Sequence, residues 1–361
     1  MSTLIHAPHA HSRTSVGRLM ALVMAALVPA TLFGFWLNGW PAVNLWLVTM
    51  VSAIAFEFLS LRMAGQPARD FLFDGSAALT AWLLALSLPP WAPWWTGALG
   101  SFLAVVVAKH VFGGIGQNLF NPAMVARVAL LISFPVEMTQ WVTPAPLFSG
   151  TAPGFLDALA TTFSGIPNTD AVTSASLLGH IKTDLSRGVS VDSALAGDYL
   201  SRHFYLGMRL GSLGETSSVF IALGGVALLL LRVISWHIPL AMIAGALIPA
   251  AMLHGLDPGH YADATVHLFS GGLLLGAFFI ATDPVTSPST RTGQLIFGGG
   301  CGFLTYVIRT WGGYPEGVAF AVLLVNGLAP VIDRYTKPRI YGRTRSGQGL
   351  TPPPPARKKA A

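Results

Sequence analysis

Between residues 170 and 176 the chain reads Asp170-Ala171-Val172-Thr173-Ser174-Ala175-Ser176. Three hydroxyl side chains stand among small neighbours. A hydroxyl becomes a modification site only where another enzyme's active site can reach it. Small neighbours give the room and an exposed loop gives the access. On composition alone the stretch reads better as a polar turn. A second set of residues is ionisable and lies in apolar sequence: Glu57, Lys109, Arg127, Asp283 and Arg309. Charge at membrane depth is costly, so such groups serve a function or snorkel to the interface. For Glu57, Lys109 and Arg309, near the ends of apolar runs, snorkelling competes with function. Arg127 falls inside a run and reads as buried, paired with a carboxylate or holding a ligand. Asp283 opens DPVTSP and fits a turn cap.

Asn118 and Asn121, in GGIGQNLFNPA, read either as polar groups facing a ligand or as caps, Asn121 starting a helix with Pro122 in its first turn. No strand precedes the glycines, so a dinucleotide fingerprint is not indicated, and close helix packing accounts for them. His6, His9 and His11 are spaced too loosely, in a polar leader, to read as a metal site, and His180 and His203 gain no role. The single cysteine, Cys301, can neither close an intrachain disulfide nor hold a four-thiolate iron–sulfur cluster. If this chain handles electrons, the carrier is organic or borrowed.

The elements that must position these residues are membrane helices. Of 361 residues, 53% are hydrophobic and 10% charged, against roughly a quarter charged in soluble domains. Ten candidate spans emerge, near 19–37, 42–60, 75–90, 95–112, 122–137, 216–235, 238–254, 266–282, 295–311 and 316–333. The shortest, 75–90 and 238–254, need tilt or shielding by neighbours. The net charge of +6 does not signal nucleic acid, because the basic residues gather in short loops and at the ends. Placing both termini in the cytoplasm puts Arg13, Arg18, Arg62, Lys109, Arg232, Arg291 and the basic tail inside. NGWP, LPPWAPWW, HGLDPGHYADAT and WGGYPEG then fall outside, with tryptophans suited to an interfacial belt. The apolar run after the leader lacks a small-residue cleavage site and reads as a retained first helix.

The expected fold is therefore an all-α membrane protein with two five-helix halves, 19–137 and 216–333, flanked by a cytoplasmic segment 1–18 and a basic tail 334–361. An odd number of spans per half makes any repeat an inverted one. Between the halves lies a long periplasmic segment, 138–215, the kind of loop that is usually functional. Its DSALAGDYLSRHFYLGMRL stretch suits an amphipathic surface helix. The last residues, GQGLTPPPPARKKAA, read as disordered.

Motifs in order along the chain carry a resemblance. Phe73-Asp74-Gly75-Ser76-Ala77-Ala78-Leu79-Thr80 opens the third span, and Phe112-Gly113-Gly114-Ile115-Gly116-Gln117-Asn118-Leu119-Phe120-Asn121-Pro122-Ala123 precedes the fifth. Gly211-Ser212-Leu213-Gly214-Glu215-Thr216-Ser217 starts the sixth, Ala281-Thr282-Asp283-Pro284-Val285-Thr286-Ser287-Pro288 follows the eighth, and YVIRTWGGYPEGVAFAVLLVNGLAPVIDRYTKPRIYG completes the set. Over about residues 6–345 the chain resembles the family that RnfD, of the Rnf ion-translocating electron-transport complex, shares with its counterpart in the sodium-pumping NADH:quinone reductase. Its first span begins near residue 19, and the short region before it favours the Rnf side of that family.

In that family, the stretch at 170–176 looks like the flavinylation motif: Asp, two variable residues, Ser or Thr, Gly or Ser, Ala, then Thr. The resemblance implies that a flavin transferase, using FAD, leaves FMN on Ser176 through a phosphoester. Asp170, Thr173, Ser174 and Ala175 would form the motif around it, with Thr173 and Ser174 poor substitutes as acceptors. Serine in place of the usual threonine keeps the nucleophile but loses the methyl that restrains it. The resemblance further implies a non-covalent flavin such as riboflavin among the helices, with Asn118, Asn121 and Arg127 as candidate contacts. Its implied partners are other Rnf components carrying iron–sulfur clusters, a second protein with covalent flavin, and membrane lipid. The implied activity passes electrons between ferredoxin and NAD while moving sodium ions or protons across the bacterial inner membrane. A component of the quinone reductase, a secondary transporter or channel without redox role, and a passive anchor are the competing readings.

Overall fold

The computed structural model describes residues 15–67, 71–150, 152–164, 176–195, 207–208, 210–216, 218–314 and 316–337. Among these the chain is helical, with no β-strand. Helix α1, Val16–Met63, starts where the Ser15 hydroxyl accepts from Arg18 N and is interrupted at Gly39, whose φ of 74° and ψ of −167° lie outside helical space. The chain reverses there. Trp82 donates to Thr31 Oγ1 at 2.8 Å and packs edge-on against Trp46 at 5.0 Å. An unbroken helix would hold residues 31 and 46 roughly 22 Å apart, too far for one side chain to touch both. Pro41 falls in the first turn of the returning segment, where its missing N–H is not needed. The expected spans 19–37 and 42–60 are the two arms of this element.

Helix α2 is Ser76–Ser87. Helix α3, Trp94–Phe102, runs on through a π-helical turn, Leu103–Val107. Helices α4, Pro122–Ser133, and α5, Pro135–Thr139, complete the first half. The segment between residues 138 and 215 contributes α6, Phe155–Ser164, α7, Leu177–Ser186, and α8, Val191–Leu195. The second half holds α9, Ser218–Leu230, α10, His237–Leu256, and α11, Ala264–Phe269. It continues with α12, Leu273–Leu275, running into a π turn at Gly276–Ile280, then α13, Arg291–Trp311, and α14, Val318–Tyr335. Helix falls in each of the ten expected segments. Among the described residues four stretches, Val16–Met63, Trp94–Phe112, His237–Leu256 and Val318–Tyr335, are long and apolar enough by themselves to cross a membrane. Helices α2, α4 and α9 are apolar but shorter, and the segment expected at 266–282 is broken between α11 and α12.

Burying polar side chains without water requires a local acceptor. Thr31, Asn38 and Thr49 each donate to the carbonyl four residues back, at 2.8–2.9 Å. Close backbone approach depends on glycine. A Cβ at Gly302 of α13 would collide with the Met242 carbonyl of α10, and one at Gly298 would come within 2.6 Å of the Ile238 carbonyl. These small residues let α10 and α13 pack as one unit. The halves join through Asn121: its N–H faces Asn326 Oδ1 of α14 at 3.5 Å, and its amide donates to Ile280 O at 3.4 Å. The α7–α8 pair sits on the second half through Leu177, Ile181, Val191, Leu195, Ala262 and Val266.

Gly302→Val should cost about 1–3 kcal/mol by overpacking the α10–α13 contact. Gly299→Ala, where a Cβ meets nothing within 4 Å, should be neutral or gain up to about 1 kcal/mol of helix propensity. Thermal unfolding of the two variants in detergent, beside the parent chain, checks both.

Candidate functional site

Ser176 begins α7. Its φ of −57° and ψ of 158° are those of an N-cap, and its hydroxyl oxygen accepts from Gly179 N at 3.3 Å. The side chain is half-buried, beside a narrow cleft of about 10 Å³ that also meets Trp141, Glu215, Ser270, Gly271 and Glu316. Helix α7 is held by Lys182, whose ammonium donates to the carbonyls of Ile308, Gly312 and Tyr314 at 3.1, 2.6 and 2.9 Å. Those carbonyls lie at the end of α13, where a cation is favoured. Burial pushes the Lys182 ammonium below its ordinary range. Asp170, Thr173, Ser174 and Ala175 lie outside the described residues, as do His6, His9, His11, His203 and most of the stretch expected as a surface helix.

The cleft's floor is a broken helix. Gly271 has φ of 65°, and a Cβ there would collide with the Glu316 carboxylate. Glu316 accepts from Gly272 N at 2.9 Å and from Gly317 N and Val318 N at 3.0 and 3.1 Å, so one carboxylate serves the starts of both α12 and α14. Arg309 neutralises it at 2.9 Å and also donates to His267 O and Ser270 O. Ser270 Oγ is buried with no hydrogen-bond partner among the described residues, and it lines the cleft. Arg127 is buried, donates to Met138 Sδ at 3.7 Å, and feels the charges of Glu215 and Glu316.

A larger cavity, about 120 Å³, opens among α1, α2, α4, α9 and the π turn after α12. Its walls are mostly apolar, with Ser76, Lys109, Asn118, Asn121 and Asp283 supplying polar groups. Asn121 is both cap and lining residue: its Oδ1 accepts from Ala123 N and Met124 N at 3.1 and 3.3 Å. Asn118 donates to Phe120 O at 3.2 Å. Asp283 acts as a turn cap, accepting from Val285 N and Thr286 Oγ1. Snorkelling does not describe Glu57 and Lys109. They are 2% and 3% exposed and joined at 2.7 Å, with His110 on the other carboxylate oxygen at 2.9 Å and Ser76 Oγ 2.8 Å from Lys109. Arg309, 3% exposed, is likewise buried and paired.

The two helix starts share one plan. Phe73-x-Gly75 precedes α2 and Phe269-x-Gly271 precedes α12, both glycines having positive φ. Ser76 N donates to Asp74 Oδ1 at 2.7 Å, as Gly272 N does to Glu316. A buried cation stands by each start, Lys109 or Arg309, and a Gly-Gly pair follows each cation in sequence, at 113–114 and 312–313. Sequence reading singled out both cations but missed Ser76, Ser270 and Glu316 as their contacts, and Lys182 as the tie between α7 and the end of α13. Nothing in local spacing links residues 33 to 132 positions apart, and Glu316, only seven positions from Arg309, stands past the end of α13 in the turn WGGYPEG.

Comparison with known proteins agrees with the motifs. The family model described as NQR2, RnfD, RnfE matches residues 3–342. A protein of Halorhodospira halophila, named as the D subunit of an ion-translocating oxidoreductase complex, is 54% identical over 351 residues, covering 97% of this chain and 98% of that protein. Proteins of the same name from Stutzerimonas stutzeri and Rhodobacter capsulatus are 53% and 51% identical, covering 94% and 83% of this chain and 95% and 84% of their own lengths.

Lys109→Met leaves the Glu57 carboxylate buried with only His110 and should cost about 3 kcal/mol, whereas adding Glu57→Gln should restore at least half of that. Thermal unfolding of the single and double variants, compared as a double-mutant cycle, measures it.

Proposed function

The chain belongs to the NQR2, RnfD, RnfE family, and from that premise we propose that it is the RnfD component of an Rnf-type complex, a membrane protein serving electron transport and ion translocation. The observation that carries the cofactor reading is Ser176: a half-buried hydroxyl at the N-cap of a ten-residue helix, anchored by Lys182. A phosphoester on that oxygen meets the helix N-terminus, where N–H groups and the dipole favour negative charge. FMN joined there is the group the resemblance implies, and bound flavin supplies electron acceptance in ones and twos. The cleft is too narrow for the ring system. Its role is to seat the ester end, with the unpartnered Ser270 hydroxyl available as a donor. The larger cavity is the place for a second, non-covalent flavin such as riboflavin, with Asn118, Asn121 and Lys109 on its wall. Arg127 does not line that cavity; it holds charge near Glu215 and Glu316 instead.

The matched plan of the two helix starts supports ten spans in two inverted five-helix repeats; the basic residues in alternate loops and at both ends support cytoplasmic termini, with Ser176 at the periplasmic face of the inner membrane. In this reading iron–sulfur proteins and a second flavoprotein of the complex complete a relay between ferredoxin and NAD, with sodium ions or protons as the cargo. The flavin separates this reading from a transporter, a channel or a passive anchor, none of which needs one.

Producing the chain with and without a flavin transferase, denaturing it, and reading gel fluorescence and mass tests the attachment. Fluorescence and an FMN increment should depend on the transferase and vanish in Ser176→Ala. Folded chain without flavin, despite an active transferase, would sink the attachment at Ser176 and favour the transporter or anchor.

A further inference from the structure

Helix α6 is not two-faced but three-faced. Ala158, Thr161 and Thr162 are buried against the protein, where α6 packs on α1. Both threonine hydroxyls are satisfied within the helix, on Asp157 O at 2.9 Å and Ala158 O at 2.8 Å, so this face is dry and complete. A second face, Phe155, Leu156 and Phe163, is 52%, 78% and 54% exposed. Asp157 and Ser164 are exposed on the third. At 100° per residue these faces centre about 120° apart. That is the arrangement of a helix lying in a corner, with protein, an apolar medium and water each on one side.

The level of the helix is fixed by its ring contacts. Phe155 meets Trp40 edge-on at 5.4 Å, one residue past the reversal of α1 at Gly39. Phe163 meets Trp94, the first residue of α3, at 6.2 Å. Helix α6 therefore lies across the rim where apolar helices end. Below it, the surface of α1 continues with Trp36 and Leu32, themselves 40% and 60% exposed.

Phe148 belongs to the same rim. It is 94% exposed and has φ of 69°, a region bulky residues rarely adopt. The turn that holds it is tied down by Leu147 N donating to Trp36 O at 2.7 Å and Ser149 N to Pro146 O at 2.9 Å. A strained turn that presents an aromatic ring away from protein gains nothing in water. The one charged side chain in residues 141–164, Asp157, lies on the exposed polar face of α6 and not on the apolar one.

We propose that α6, with Phe148, is an interfacial anchor whose Phe155–Leu156–Phe163 face beds into the headgroup–acyl boundary of the outer leaflet. The anchor fixes the start of the outer segment at the membrane surface, upstream of the helix that Ser176 caps. It does not depend on the flavin at Ser176, and its assignment to the outer leaflet rests on the membrane orientation proposed above.

The test uses the full chain with single cysteines at Leu156→Cys, Phe163→Cys or Asp157→Cys, each carrying an environment-sensitive fluorophore. Cys301 is fully buried and stays unlabelled in folded protein. In nanodiscs, phosphatidylcholine brominated near the headgroup end of its chains should quench the labels at 156 and 163 by about twofold or more and leave that at 157 nearly unchanged. The two apolar positions keep the test open if one variant fails to fold. Equal quenching at all three, or at none, overturns the anchor. So does shielding of 156 and 163 from brominated lipid in the assembled complex together with cross-linking to another protein of it, which would give the face to a protein partner.

Discussion

A helix that stops inside a membrane protein leaves backbone N–H groups without partners, and no water is there to take them. Among the described residues, the starts at Ser76 and Gly272 are of this kind, and much of the buried polar chemistry follows from them. Each needs an anionic acceptor, which Asp74 and Glu316 provide. A carboxylate buried at such a place needs a cation, and Arg309 is the one at Glu316. Lys109 at the other start brings Glu57 and His110 with it. The charges that looked like isolated candidates in apolar sequence are thus consequences of broken helices. The glycine of positive φ before each start is what lets the backbone turn in so tightly.

The same breaks create the places where a ligand can approach. Helix backbone satisfied along its whole length presents only side chains to its surroundings. An interrupted helix presents oriented N–H groups, and the groups that serve them line a cavity on one side and a cleft on the other. The two sites are therefore unlike in size but alike in origin. The π-helical turns at Leu103–Val107 and Gly276–Ile280 fit this picture, since such insertions cluster where helices are interrupted for function.

Helix positions were legible because apolar runs of span length can do little else in this composition. The arms of α1, the Asn121–Pro122 start of α4 and the cap at Asp283 all follow from local sequence. What local sequence cannot carry is which distant groups meet. Glu57 and Lys109 are 52 residues apart, and Lys182 reaches carbonyls more than 120 residues away. Glu57 and Lys109 looked like charges near an interface, and only the fold shows that each has a partner close enough to keep it buried. Helix α6 was missed for a different reason. Its apolar residues are too few for a span and its buried face is made of Ala and Thr, so its pattern is faint until Trp40 and Trp94 are seen to hold it.

Serine at 176, where the family pattern has threonine, looks at first like a weakened acceptor. Its place in the fold argues otherwise. As an N-cap, serine is at least as good as threonine, and the contact with Gly179 N uses the oxygen as acceptor, not the hydroxyl proton. The proposed phosphoester on that oxygen would remove the proton and leave a lone pair for the cap. Helix α7 could therefore begin at the same residue with or without the proposed ester, held by Lys182. The methyl that threonine would add restrains one side-chain rotation, and here the cap bond restrains it instead.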